Sequence, residues 1–508
     1  MNWQNRPLLR LIIPFTLGMI GANLFVSHLN ITVLFLLCST LLALTFFPLT
    51  SPTTYKSPTL GITAMPLFLL LGMTLYTVKH HHITNGIPAN PTHCHGILVE
   101  QPKEKTHSWA LKLQQENGTH ILLYIGKNWE VPEQDSITFS SLQIGDTILA
   151  NIKQLNATNL CENDTFKTYN TYLFHQGISA TAYTPHNQWK VQPCQSSHSL
   201  LTSAKALQER LHDIYDNHGI QGEAGSIIEA MTIGRKTDLS KDTRNAYTNA
   251  GISHILALSG FHVGIIVLMI QFFFFKNFLP LRWRWISNIF IIATLWGYVL
   301  LTGFSPSLVR ATIMFTILLL CQSLSHQYLS FSSCALAFFI MLCINPFYLN
   351  DIGFQLSFIA VSAISLFSQQ IITSCPTHNR LIHFFLSVIV ITFICSIFTA
   401  PLIAHHFGKF TLLSLLSNLM VFPFVYLLMW TSILWWMFLW CEPINDFLTD
   451  ILNWTAGTMN KVVEYLSSLP FATIEWQPSV LMTWVCYGVL LVLTYFITRK
   501  NGLNSSVR

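Results

Sequence analysis

Apolar runs of membrane-spanning length, all but one of them uncharged, recur along this chain, and they constrain its fold more than any other feature. Leu11 to Val26, Ile31 to Leu49 and Leu60 to Val78 come first. After a long interruption follow Ile286 to Leu301, Leu308 to Leu324, Phe331 to Ile344, Ile352 to Phe367, Leu381 to Ile403, Leu412 to Cys441 and Val480 to Ile497. A hydrocarbon core of roughly 30 Å takes about twenty such residues, and inside it a helix bonds all its own backbone groups. Only 10% of the 508 residues are charged and 51% are apolar, far from the make-up of a soluble domain. The expected fold is therefore a polytopic α-helical membrane protein. Arg6 and Arg10 before the first run suggest a secretory signal, but two more runs follow without a small-residue cleavage site, so three anchored helices are expected. Leu412 to Cys441 is long enough for two helices broken near Pro423. Ile444 to Leu466 carries Asp446, Asp450, Lys461 and Glu464 and reads as an amphipathic helix on the membrane surface.

Lys and Arg in short loops mark the cytoplasmic side. With Arg6 and Arg10 inside, Lys56, then Lys276, Arg282 and Arg284, then Arg380, and finally Arg499, Lys500 and Arg508 all fall inside. About twelve transmembrane helices with both termini cytoplasmic satisfy this pattern, and only Lys409 runs against it. Lys79 to Asn249 is then extracytoplasmic. The expected division is N-terminal helices at 1–78, a strand-rich domain at 79–195, a helical linker at 196–250, a bundle at 251–441, the amphipathic surface helix at 442–477, and a last span with its tail at 478–508.

In the strand-rich domain short apolar runs alternate with Asn, Gln, Thr and Lys. Gly96 to Val99, Trp109 to Leu113, His120 to Ile125, Ser136 to Phe139, Thr147 to Ile152 and Ile178 to Tyr183 read as strands, punctuated by Asn117-Gly118 and Gly145-Asp146. Such a set suits a small β-barrel, an oligonucleotide-binding-like (OB-like) one being a candidate. Between residues 92 and 190, seven lysines face nine acids, so no basic footprint for nucleic acid is present and a role in assembly is equally open. Cys94, Cys161 and Cys194 lie in this polar region, where two of the three could pair in an oxidising compartment.

One apolar run carries polar groups at unusual density. Gly251 to Gly264 holds His254, Ser259 and His262 and continues without charge to Phe275, so it is expected to span or re-enter the membrane as one helix. Gly260 and Gly264 form a small-xxx-small pair that lets another backbone approach. These positions are candidates for a pore or for helix packing. Arg310 inside an apolar run needs a partner or water, Asp351 and Gln355 are one turn apart at the start of a span, and Asn418 lies near Pro423; these too are channel or packing candidates.

Gly251-Ile-Ser-His254, followed by Leu256-Ala-Leu-Ser-Gly-Phe-His262, resembles the signature of ComEC-type competence membrane proteins. Ala230-Met-Thr-Ile-Gly234, Leu239 to Gly251, Thr302-Gly-Phe-Ser-Pro-Ser307 with Arg310-Ala311, Asn345-Pro346 with Asp351-Ile-Gly-Phe-Gln-Leu-Ser357, and Ser414-Leu-Leu-Ser-Asn418 with Pro423 resemble further segments of that family in the same order, over about residues 220 to 430. The strand-rich domain, with Tyr172-Leu-Phe-His-Gln-Gly177 near its end, resembles the family's extracellular barrel. The resemblance implies a channel in the bacterial cytoplasmic (inner) membrane that passes single-stranded DNA into the cytoplasm during natural transformation. It also implies a separate cytoplasmic helicase-like motor, an outer DNA receptor and a separate nuclease, with membrane lipids around the chain and a homo-oligomer left open.

Many members of that family carry a metallo-β-lactamase-like domain marked by H-x-H-x-D-H. Neither that pattern nor a G-x-x-x-x-G-K-[ST] loop occurs in these residues, so neither nuclease nor ATPase activity is expected. The histidine runs His80 to His82, His93 with His95, and His405-His406 lack the acid and spacing of a metal centre, and no metal or cofactor is expected. Two other readings remain: a secondary transporter of another anionic or lipid-linked solute, and an intramembrane enzyme using His254 or His262 as a base, in which Ser259 could approach His262 but a third member and an oxyanion site are lacking.

Overall fold

The computed structural model describes residues 7–25, 29–49, 59–86, 93–127, 139, 142, 144–158, 164–192, 200–273, 284–324, 330–368, 371–372, 379–411, 413–469 and 473–505. Contacts divide the chain into two compact units, Met1–Ser203 with Phe338–Asp351, and Ala204–Ala337 with Ile352–Arg508. Three helical stretches among the described residues are long and apolar enough to cross a membrane: Pro306–Ser323, Leu386–Phe407 and Ser414–Met437. Shorter apolar helices, among them Arg10–Phe25, Trp285–Leu301 and Val480–Thr494, occupy other expected spans.

The first unit begins with α1 (Pro7–Phe25), α2 (Ile31–Leu49) and α3 (Thr59–Thr84). Gly18 and Gly72 let α1 and α3 touch backbone to backbone, since a Cβ at Gly18 would overlap the carbonyl of Leu69 and one at Gly72 that of Phe15. The hydroxyls along this contact are satisfied. Thr77 donates to Met73 O at 2.7 Å, Thr74 to Leu71 O at 2.9 Å, and Tyr76 to Asn23 Oδ1 at 2.6 Å.

Next comes the sheet domain: β1 (His93–Leu98), β2 (Lys103–Glu104), β3 (Ser108–Gln114), β4 (His120–Gly126), β5 (Thr147–Asn151), β6 (Gln154–Ala157), α4 (Asp164–His175), β7 (Ile178–Thr184) and β8 (Trp189–Gln192). The strands pair in the order β6-β7-β4-β3-β1-β5-β8, with β2 on β3. All described pairs are antiparallel except β4 with β7, the crossover that α4 makes possible. Three short strands and α4 were not foreseen because they are two to four residues long or polar on most faces. Of the expected strand Ser136 to Phe139, only Phe139 lies among the described residues, and it stacks between Trp109 and Trp189 at centroid distances of 4.9 and 5.0 Å. Cys94 is a free, buried thiol in β1, while Cys161 and Cys194 lie outside the described residues.

A single 3-10 turn, Pro346–Asn350, completes the first unit. Asn345 caps it by accepting from the Phe347 N–H at 3.3 Å, and Phe347 packs on Tyr76, Phe174 and His175. The Asn350 amide donates to His175 Nε2 at 2.9 Å.

The second unit holds α5 (Leu200–Asn217), α6 (Gly222–Thr232), α7 (Lys241–Asn249), α8 (Ser253–Leu256), α9 (Gly260–Phe273), α10 (Arg284–Leu301), α11 (Pro306–Leu324), part of α12 (Ser330–Ile344), α13 (Ile352–Ala363), α14 (Arg380–Phe407), β9 (Lys409–Thr411), α15 (Ser414–Met437), α16 (Glu442–Ser467), β10 (Thr473–Glu475) and α17 (Val480–Ser505). The expected break at Pro423 does not occur: α15 runs through it as one helix. A proline forfeits one backbone bond, which neighbouring groups in a membrane protein can make good. α16 folds back along α15. Trp435 Nε1 donates to Thr449 Oγ1 at 2.8 Å and Asn445 Nδ2 to Trp435 O at 3.3 Å, and at the other end β9 pairs antiparallel with β10. The apolar stripe of α16, with Leu452, Ala456, Met459 and Val463 fully buried, rests on α6, α7 and α15.

Candidate functional site

The polar run Gly251 to Gly264 is not one helix. α8 ends at Leu256, Ala257 is extended (φ −93°, ψ 127°), and α9 begins at Gly260. The reason lies in the side chains. Ser259 precedes the first turn of α9, and its carbonyl accepts from the His262 N–H at 3.1 Å. In return His262 Nδ1 accepts from the Ser259 N–H at 3.2 Å and lies 3.0 Å from Ser259 Oγ. This is one half of a capping box: the side chain of His262, in the third helical position where Glu or Gln usually serves, reaches back to the Ser259 N–H, while the Ser259 hydroxyl meets the same ring nitrogen rather than the His262 N–H. A backbone N–H pointing at Nδ1 requires that nitrogen to be unprotonated, so the neutral ring carries its proton on Nε2. The Ser259–His262 pair is thus accounted for as a helix start.

Glycines bring the other motif segments to this break. Gly251, at φ +75°, ends α7: the Ile252 N–H reaches Tyr247 O at 2.9 Å and the Gly251 N–H reaches Thr248 O at 3.0 Å. A Cβ there would overlap the Thr411 hydroxyl and lie 2.7 Å from Ser414 Cβ. Gly234, at φ +78°, sits against Leu258 Cδ1 and Thr302 Cβ, at 2.9 and 3.3 Å from where its Cβ would be. Gly260 and Gly264 face Ala311 Cβ and the Phe315 ring of α11, at 3.5 and 3.8 Å. Phe261 lies 4.6 Å from the ring of Phe422 on α15. Residues far apart in the chain, from Gly234 to Phe422, therefore meet along residues 251 to 264. The adjoining end of α10 is closed by Gly303 and by Phe304, which holds φ +57°, a conformation costly outside glycine.

The surroundings of the break are polar in two ways. His254 and Gly260 are exposed at one end of the site. Beyond it His262, Thr312 and Ser417 are fully enclosed, and the His262 Nε2 and the hydroxyls of Tyr298, Thr312, Thr316 and Ser417 have no hydrogen-bond partner among the described residues. Each such group costs about 1–3 kcal/mol. Arg310 is 7% exposed on α11, two residues before Thr312. Asn418 is half-buried on α15 beside Ser417, and Gln355 half-buried on α13. Asp351 belongs to the first unit, where its N–H closes the 3-10 turn on Tyr348 O at 3.0 Å. Ser417 stood out in the sequence with Ser414 and Asn418 near Pro423, whereas Tyr298, Thr312 and Thr316 did not, since a lone hydroxyl in an apolar helix normally bonds its own backbone.

A mostly helical chain with three helices long and apolar enough to cross a membrane, a sheet domain near its N-terminus and a broken, polar helix start among its motif segments has the make-up of a helical membrane protein. Residues 231–500 match the Competence protein family, and the chain belongs to that family. It is 28% identical over 257 residues to ComE operon protein 3 of Bacillus subtilis (strain 168), covering 50% of this chain and 31% of that protein. It is 23% identical over 304 residues to Recombination protein 2 of Haemophilus influenzae, covering 55% of this chain and 36% of that one. The matched stretch thus spans about a third of the length of these curated relatives. No solved structure matches.

Proposed function

We propose that this chain is an inner-membrane channel for single-stranded DNA, acting in DNA uptake during natural transformation. Membership of the Competence protein family supports the process. The observation that carries the channel reading is the set of buried polar atoms on α9, α10, α11 and α15 without hydrogen-bond partners among the described residues, with His262 close to the exposed His254. An apolar bundle gains nothing from holding such groups dry, whereas a hydrated or phosphate-bearing path would satisfy them. In the described conformation the path is shut at His262, and the cost of its unpaired groups favours opening when a polar solute enters.

In this reading both termini are cytoplasmic and the sheet domain, as an OB-like barrel, stands outside. A helicase-like motor supplies the work from the cytoplasm, while an outer receptor and a separate nuclease deliver one strand. Deleting the gene is expected to abolish transformation while leaving DNA bound at the cell surface, measured as transformant yield against surface-bound labelled DNA. Normal transformant yield in the deletion strain overturns the proposal. His254→Ala at unchanged protein level is expected to lower the yield about tenfold or more, and an unchanged yield would remove His254 from the path.

A further inference from the structure

A second polar cluster lies on the helices that lead to Gly234. His212 and Asp216 stand one turn apart on α5, and Glu229 reaches them from α6, where it is only 3% exposed. His212 Nδ1 lies 2.7 Å from Glu229 Oε1, and the other Glu229 oxygen accepts from Arg235 Nη1 at 3.0 Å. Arg235 also pairs with Asp238 at 2.7 Å. On the opposite side of the ring, His212 Nε2 faces Asp216 Oδ2 at 3.6 Å. A cavity of about 460 Å³ opens onto His212, Asp216, Gln221, Glu229 and Asp238.

One imidazole between two carboxylates poses a proton problem. A neutral ring has a single N–H, and the 2.7 Å contact places it on Nδ1, directed at Glu229. Nε2 then turns a lone pair toward the Asp216 carboxylate, an arrangement that is repulsive unless Nε2 carries a second proton or a metal cation lies between them. The 3.6 Å separation is too long for a hydrogen bond and too short for a bridging water. It suits two ligands of one metal: with bonds of about 2.0–2.2 Å to nitrogen and oxygen, tetrahedral geometry sets neighbouring ligands roughly 3.4 Å apart.

We propose that His212 Nε2 and Asp216 Oδ2 hold a divalent transition-metal cation of the zinc class. Glu229 orients the imidazole from behind through Nδ1, the carboxylate–histidine–metal relay common to such sites. Ligand atoms of all three side chains lie within 4.8 Å of one another. Three carboxylates face one arginine here, so the local field attracts a cation, and the nitrogen ligand selects zinc, cobalt or nickel over magnesium or calcium. The cavity leaves the remaining coordination positions to solvent or to a further oxygen ligand. A bound metal would fix the Glu229-bearing helix to α5.

The test uses the 508-residue chain in detergent, stripped by chelator and titrated with Co²⁺, whose absorption reports nitrogen and oxygen ligation, followed by displacement with Zn²⁺. Because the chain has 20 histidines, the difference between proteins is the readout. His212→Gln and Asp216→Asn are each expected to bind one Co²⁺ equivalent fewer than the native chain. Glu229→Gln is expected to keep that equivalent with affinity reduced about 10–100-fold. Equal stoichiometry in the native chain and in Asp216→Asn overturns the proposal and leaves a protonated His212 between the two acids. Should His212→Gln fail to fold, Asp216→Asn decides alone, since that side chain is 43% exposed and its loss leaves no cavity.

Discussion

The helix pair α1–α3 and the junction around α9 both use glycine to bring chain segments close, but they treat polar groups in opposite ways. Along α1 and α3, Thr74, Thr77 and Tyr76 each find an acceptor. Around α9 the hydroxyls of Tyr298, Thr312, Thr316 and Ser417 are buried without one among the described residues. The first region has the economy of a scaffold, with these hydroxyls paired and backbone against backbone. The second retains polarity that packing alone would eliminate, and such retention points to a region that meets something polar during function.

The largest expected effects come from the glycines on which both regions depend. Gly72→Ala would drive a methyl into the Phe15 carbonyl, and Gly251→Ala would have to hold φ +75° while displacing Thr411 and Ser414. Each is expected to destabilise the protein by about 2–3 kcal/mol, measured by denaturation in micelles. Gly297, with no atom within 4 Å of its would-be Cβ on α10, provides the contrast: Gly297→Ala is expected to stabilise by about 0.5–1 kcal/mol. Equal behaviour of Gly72→Ala and Gly297→Ala would break the close-approach account of both regions.

Much of the α1–α3 scaffold was legible in the sequence, because uncharged runs of spanning length have few other ways to satisfy a backbone in lipid. The junction was legible only as a motif. Gly251, His254, Ser259, Gly260, His262 and Gly264 stood out, and the structure brings all of them to one place. The break at 257–259 was not legible, since apolar periodicity continues through it and the signal is a Ser-x-x-His capping pair that hydropathy overlooks. Pro423 misled in the other direction, for proline marks a lost bond and not necessarily a lost helix. The three-carboxylate pocket also left a trace, His212 and Asp216 at helical spacing, but Glu229 and Arg235 join it only in three dimensions.

A smaller effect tests whether the satisfied region is as fully paired as its geometry indicates. His175 on α4 accepts from Asn350 through Nε2, and burial, with the neighbouring His80, pushes its pKa down to about 4. The unfolded chain takes up that proton near 6.5, so the stabilisation is complete above pH 6.5, is lost as pH falls from 6.5 toward 4, and changes no further below 4. The loss is expected to be on the order of 2 kcal/mol after solvent screening. Comparing the native chain with His175→Gln across this window by thermal midpoint removes the contribution of the other histidines. Parallel curves would show that His175 charges freely and that its bond to Asn350 is not kept.

The smallest effect is the most discriminating, because it applies one substitution to both regions. Thr77 on α3 and Thr312 on α11 are both fully buried, and of the two only Thr77 has an acceptor for its hydroxyl among the described residues. Valine keeps the shape of threonine and removes the oxygen. Thr77→Val is expected to cost about 1 kcal/mol, the net worth of a satisfied hydrogen bond, while Thr312→Val is expected to be neutral or to stabilise by up to about 1 kcal/mol, since it removes a desolvated donor. Transformant yield should order the two oppositely, with Thr77→Val near the native value and Thr312→Val reduced. If Thr312→Val instead costs as much stability as Thr77→Val, its hydroxyl has a partner in the folded protein, and the contrast between a paired scaffold and an unpaired path loses its main support.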